Sequence, residues 1–147
     1  MKHPQEWIGV DLDGTLATYT EWTKWCIFGE PIMPMVERIR KWLDEGKCVK
    51  IFTARVPIFK GHDKWIQNIR CYKSNELYSH ADMIREIQNW CEKYVRQGWR
   101  PHVTCSKDMN MIELWDDRAV GVVTNTGMTL ADAALEEERA LDGATWR

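Results

Sequence analysis

The run WIGVDLDGT, residues 7–15, limits the fold of this chain more than any other stretch. An apolar segment without polar alternation reads as a strand buried on both faces, the usual state of a strand inside a parallel sheet. It passes at once into two aspartates two positions apart. In an extended segment Asp11 and Asp13 face one side while Leu12 turns to the core, and Gly14 permits a turn that brings backbone close to a ligand. Carboxylates where a core begins are costly unless something of opposite charge meets them.

The rest of the chain continues this beginning. Pro34 opens a helical pattern with Met35, Val36, Ile39, Trp42 and Leu43 on one face, and Gly46 is placed to end it. Residues 48–52 form the next strand. Ser79 and Asp82 have the spacing of a capping box, followed by Ile84, Ile87, Cys91, Tyr94 and Val95 at helical spacing up to Gly98. Short strands follow at 102–105, 112–115 and 119–123. A capped, alanine- and glutamate-rich helix spans about 129–143. Strands alternating with helices predict an α/β class with a mostly parallel, Rossmann-like three-layer sheet, covered on both faces. No repeat or linker marks a second domain, so a single domain over residues 1–147 is expected. It carries a polar and aromatic flap at about 16–32 and an insert at about 56–78, and has no large cap domain.

Composition narrows the function classes. Twenty Lys and Arg against 22 Asp and Glu leave a net charge of -2, no global reason to bind duplex nucleic acid or an anionic membrane. No signal-peptide-like or membrane-spanning stretch is present, which predicts a soluble, cytoplasmic protein with no membrane partner. The five cysteines, at 26, 48, 71, 91 and 105, form no CxxC pair and read as reduced, buried thiols. The histidines, at 3, 62, 80 and 102, lack metal-ligand spacing.

In an open parallel sheet, ligands bind outside the carboxyl ends of the strands, so the residue after each apolar run carries the chemistry. Those residues are Asp11 and Asp13, Thr53, Lys107, and Asp116 with Asp117. Four carboxylates, a hydroxyl and an ammonium are expected to meet at one edge. Like charges so close call for a cation, and hard oxygen donors favour Mg²⁺ over zinc. A calcium loop is the competing reading of DxDG, but Thr20 stands where such a loop needs glutamate, and a strand precedes it instead of a helix. A site of this make-up suits an oxygen-rich anion, above all phosphate, and a carboxylate can act as nucleophile through an aspartyl-phosphate.

These motifs, DLDGT at 11–15, IFTAR at 51–55, VTCSKD at 103–108 and ELWDDRAV at 113–120, resemble the haloacid dehalogenase (HAD) superfamily in its capless phosphatase form. The short chain and its ELWDDRAV…NTG ending are also similar to small phosphatase-like proteins of bacteriophages and bacteria. The resemblance implies a Mg²⁺-dependent phosphatase in which Asp11 is nucleophile and metal ligand. Asp13 would be the general acid and base, its backbone carbonyl facing the metal. Thr53 and the backbone N–H after it, at Ala54, would bind phosphate, and Lys107 would hold nucleophile and phosphate charge in place. Gly14, Thr15 and Arg55 would border the substrate. Asp116 is the preferred third metal contact, with Asp117 binding through water or orienting Lys107.

The insert interleaves Phe59, Trp65 and Tyr72 with Lys60, Lys64, Arg70 and Lys73, and the flap adds Trp22, Trp25 and Phe28. Such a mixture suits stacking a base and screening phosphates, which makes a nucleotide or a nucleic-acid end the expected substrate beside other phosphorylated small molecules. The competing reading packs Trp65, Ile66 and Ile69 onto the core. A phospho-ligand binder without turnover, and a phosphotransferase of the same fold, remain open. No obligate protein partner is evident, and oligomerisation is left open.

Overall fold

In the computed structural model, residues 5–19, 27–56 and 79–145 are described; the flap tip, most of the insert and both extreme termini lie outside the described residues. The elements are β1 (Trp7–Val10), α1 (Met33–Asp44), β2 (Cys48–Phe52), α2 (His80–Tyr94), β3 (Val103–Thr104), β4 (Met111–Trp115) and α3 (Leu130–Thr145). The class is α/β. The strands form one all-parallel sheet in the order β3-β2-β1-β4, a small Rossmann-like arrangement.

Local signals explain the helices. α1 starts with Pro34 in its first turn, where a missing N–H costs nothing, and buries Met35, Val36, Ile39 and Trp42. Gly46, at φ +76°, follows its end in the left-handed region. α2 has a complete capping box: the Ser79 hydroxyl accepts the Asp82 N–H at 3.1 Å, and the Asp82 carboxylate accepts the Ser79 N–H at 3.0 Å. Its buried side is Met83, Ile87, Trp90 and Cys91. Arg40 of α1 donates to the carbonyls of Val95 and Tyr94, tying α1 to the carbonyl end of α2.

The core lies between these helices and the sheet: Ile8, Val10, Val36, Ile39, Ile51, Met83 and Ile87 all have almost no exposure. Trp115, at the end of β4, meets Trp42 edge-on at 5.3 Å, and Arg38 lies over the Trp115 ring. Cys91 is buried, and burial pushes its thiol up to about 12. Cys48 is half-buried and Cys105 exposed, so the expectation of buried thiols fails at Cys105, which follows the two-residue β3 in a surface loop.

Two expectations need correction. Among the described residues β4 is not covered on both faces: it is an edge strand, paired there only with β1, and Ile112 and Leu114 are exposed. Residues 119–123 do not form a strand. They turn back on themselves, with Val123 N–H on the Met128 carbonyl at 2.8 Å and Val122 bridged to Thr129, while Asn125 and Gly127 adopt positive φ. An apolar run needs a neighbouring strand to become one, and this run finds its partner seven residues on, within its own turn. The chain divides into two compact units, Met1–Asp117 and Arg118–Arg147. In the second unit Thr129 caps α3 by accepting the Asp132 N–H, and Leu130, Leu135 and Leu141 are exposed. No helix among the described residues is long and apolar enough to cross a membrane.

Candidate metal and phosphate site

The strand order decides where a ligand can sit. β1, β2 and β3 are laid down in one direction and β4 returns to the other side of β1, so the order reverses between β1 and β4. The register pairs Val10 with Trp115, and the Asp11 N–H donates to the Trp115 carbonyl at 2.9 Å. Asp11 and Asp116 are the next residues on the two strands, side by side at the switch point.

Three carboxylates gather there. One oxygen each of Asp11, Asp116 and Asp117 lie within 4.8 Å of one another. The turn after β1 holds them close: the Leu12 carbonyl accepts N–H groups from Leu16 and Ala17, and Gly14, at φ +90°, leaves room for the Asp117 carboxylate. A Cβ on Gly14 would stand 2.5 Å from Asp117 Oδ2. The Thr15 hydroxyl accepts the Asp117 N–H at 3.0 Å and lies 3.4 Å from Asp11 Oδ2 and 3.3 Å from Asp117 Oδ1. With a single proton it can satisfy one of those two oxygens at a time.

The consequence is electrostatic. Asp11 is pushed up from the ordinary carboxylate value to about 7, first by burial, then by the charges of Asp116 and Asp117. The anionic form of this group is therefore harder to reach in the bare protein than that of an ordinary carboxylate. An all-oxygen donor set with partly exposed members, in which the charges repel, fits a hard divalent cation that keeps some of its waters.

Thr53 follows β2 on the other flank of β1 and is buried. Its hydroxyl accepts the Arg55 N–H at 3.2 Å, which leaves its own proton to donate. Ala54 is exposed on the same turn.

The side chains of two expected site residues stand apart from this cluster. The Asp13 carboxylate is not a member of it, and lies instead against Arg55, with Arg55 Nε donating to Oδ2 at 2.7 Å and Nη2 to Oδ1 at 2.6 Å. Both side chains are nearly buried, and Arg55 also donates to the Ile27 carbonyl and stacks on Phe28 at 4.7 Å. Lys107 is exposed, lines an open groove along β4 with Met109, Ile112 and Leu114, and among the described residues makes no ion pair with Asp11. Its loop is anchored by Asp108, which accepts Trp7 Nε1–H at 2.9 Å and the Asn110 N–H at 2.8 Å. Those two bonds hold the Asp108 carboxyl below the usual range. Trp22, Trp25 and Trp65 lie outside the described residues.

Sequence reasoning missed the Arg55–Asp13 pair and the Trp7–Asp108 anchor. Residues 42 and 101 positions apart carry no local signal of contact.

No protein-family model matches the chain, and no curated protein does. A solved structure of a conserved protein from Bacteroides thetaiotaomicron shares 17% sequence identity, covering 92% of this chain and 93% of that one, with a TM-score of 0.49.

Proposed function

We propose that this protein is a Mg²⁺-dependent phosphomonoesterase of the HAD type, working through an aspartyl-phosphate on Asp11. The observation that supports this most is the packing of Asp11 against Asp116 and Asp117 at the point where the sheet order reverses. Asp11, Asp116 and Asp117 would hold the ion. When bound, it would keep Asp11 anionic and draw charge from the phosphoryl oxygens.

The chain's own residues then have defined tasks. An Asp11 carboxylate oxygen attacks phosphorus and the bond to the ester oxygen breaks, with a proton passing from Asp13 to that leaving oxygen. Asp13 next takes a proton from water, the water oxygen attacks phosphorus, and the Asp11–phosphorus bond breaks to release phosphate. The Thr53 hydroxyl and the backbone N–H groups of its turn hold the phosphoryl oxygens during both steps. Lys107 would have to swing in from the β4 groove to add its charge. The substrate class we favour is a nucleotide or nucleic-acid end, on the strength of the aromatic and basic composition of the flap and insert.

A phosphate-binding protein without turnover is the second reading, favoured by Lys107 lying in the β4 groove instead of on Asp11. The deciding experiment is phosphate release from mononucleotides, 3′- and 5′-phosphorylated oligonucleotides and sugar phosphates, with Mg²⁺ or EDTA, wild type beside Asp11→Asn. Metal-dependent release lost in a folded Asp11→Asn variant supports the hydrolase. No release from a protein that still binds Mg²⁺ supports the binder. A phosphotransferase would instead raise its turnover when an alcohol acceptor is added.

A further inference from the structure

We propose that Arg55 is the positioning residue for Asp13, a role that rests on the phosphatase reading. The expectation for Arg55 was contact with substrate; the geometry points to Asp13. Nε and Nη2 meet the two carboxylate oxygens at 2.7 and 2.6 Å, the parallel fork in which guanidinium fixes both the place and the plane of a carboxylate. A lysine ammonium would fix a point and leave the plane free to turn.

Arg55 is itself held at further points. Its side chain is 4% exposed, its Nη2 reaches the Ile27 carbonyl at 3.0 Å, its guanidinium lies on the Phe28 ring, and its backbone N–H is on the Thr53 hydroxyl. One residue thus joins the phosphate-binding turn after β2, the chain at Ile27 and Phe28, and the carboxylate of the acid and base. Asp13 belongs to a turn whose neighbour Leu12 is locked into the core, so its backbone is set by β1 and its side chain by Arg55. Each carboxylate oxygen keeps a second lone pair, so Asp13 can accept from a water while still gripped. Proton transfer is sensitive to such placement because the acid must lie within hydrogen-bond reach of the leaving oxygen.

The test uses the full chain in Mg²⁺ and the phosphomonoester of the panel turned over fastest. Arg55→Gln is expected to lower kcat by about 10²-fold, the usual contribution of a placed acid or base, with KM unchanged. Arg55→Lys should fall between. Because Arg55 acts through Asp13, Arg55→Gln added to Asp13→Asn should lower kcat no further than Asp13→Asn alone. A raised KM with kcat unchanged, or losses that multiply in the double variant, would overturn the proposal and return Arg55 to substrate binding. Should wild type turn over none of the panel, the phosphatase reading fails on its own. Crystal structures of wild type and Arg55→Gln then decide: a displaced Asp13 carboxylate upholds the positioning role, and an unmoved one overturns it. If Arg55→Gln does not fold, Arg55→Lys serves for every readout.

Discussion

Replacing Asp116 with asparagine should stabilise the metal-free protein and weaken the metal-loaded one. In the bare protein the ligand oxygens of Asp11, Asp116 and Asp117 lie within 4.8 Å of one another. Two unit charges at that distance, in the effective dielectric of a partly exposed site, repel by about 1–2 kcal/mol. Above pH 7 Asp11 is ionised, and Asp116→Asn removes two of the three pairs, Asp11–Asp116 and Asp116–Asp117, each weakened further by solvent screening. With EDTA at pH 8 the variant should gain about 1–2 kcal/mol, or about 3–6 °C in Tm for a chain of this size.

The pH dependence has a definite sign. Asp11 is raised from 3.8 to about 7, so between those values the native state binds more protons than the unfolded chain. Stability linked to Asp11 is therefore fully present below about pH 4 and is lost as pH rises towards 7. The shift is about three units, which at 1.36 kcal/mol each sets a ceiling of about 4 kcal/mol; solvent screening of this half-exposed group halves it to about 2. Mg²⁺ at about 100 times its Kd should add about 2.7 kcal/mol at neutral pH, and less at pH 5, where protons compete for the ligands. Thermal denaturation of wild type and Asp116→Asn at pH 5 and 8, with Mg²⁺ and with EDTA, reads all of this. Carboxylate repulsion is refuted as the cause if Asp116→Asn lowers Tm as much in EDTA as in Mg²⁺, and the raising of Asp11 by burial and repulsion together is refuted if metal-free wild type is no less stable at pH 8 than at pH 5.

Other outcomes depend on single contacts. Gly14→Ala forces a side chain onto φ +90° and against Asp117, and should cost about 1–3 kcal/mol and weaken Mg²⁺ binding, read by urea unfolding and metal titration; unchanged affinity would show that the turn can yield. Ile39→Ala, in a position with no exposure, should cost about 2–5 kcal/mol in urea unfolding. Ser79→Ala removes the cap of α2 and should cost about 1 kcal/mol, with loss of hydrogen-exchange protection confined to the first turn of that helix.

Local chemistry settled much of this fold in advance. β1, α1 and β2 stand where apolar runs, Pro34 and Gly46 put them, and Ser79 and Asp82 start α2 as their spacing demands, because caps and hydrophobic periodicity act over a turn or two of chain. The α/β class followed from the alternation of such segments. Asp11, Asp116 and Asp117 were legible as candidates because each follows an apolar run, but their meeting depended on Val10 pairing with Trp115, a register that only the assembled sheet decides. Tertiary structure alone set Arg55 on Asp13 and sent Lys107 to the β4 groove, since a long side chain goes to whichever partner the packing brings within reach. It also turned residues 119–123 away from strand pairing. An apolar run specifies that it will be covered, and the partner that covers it is chosen by the three-dimensional fold.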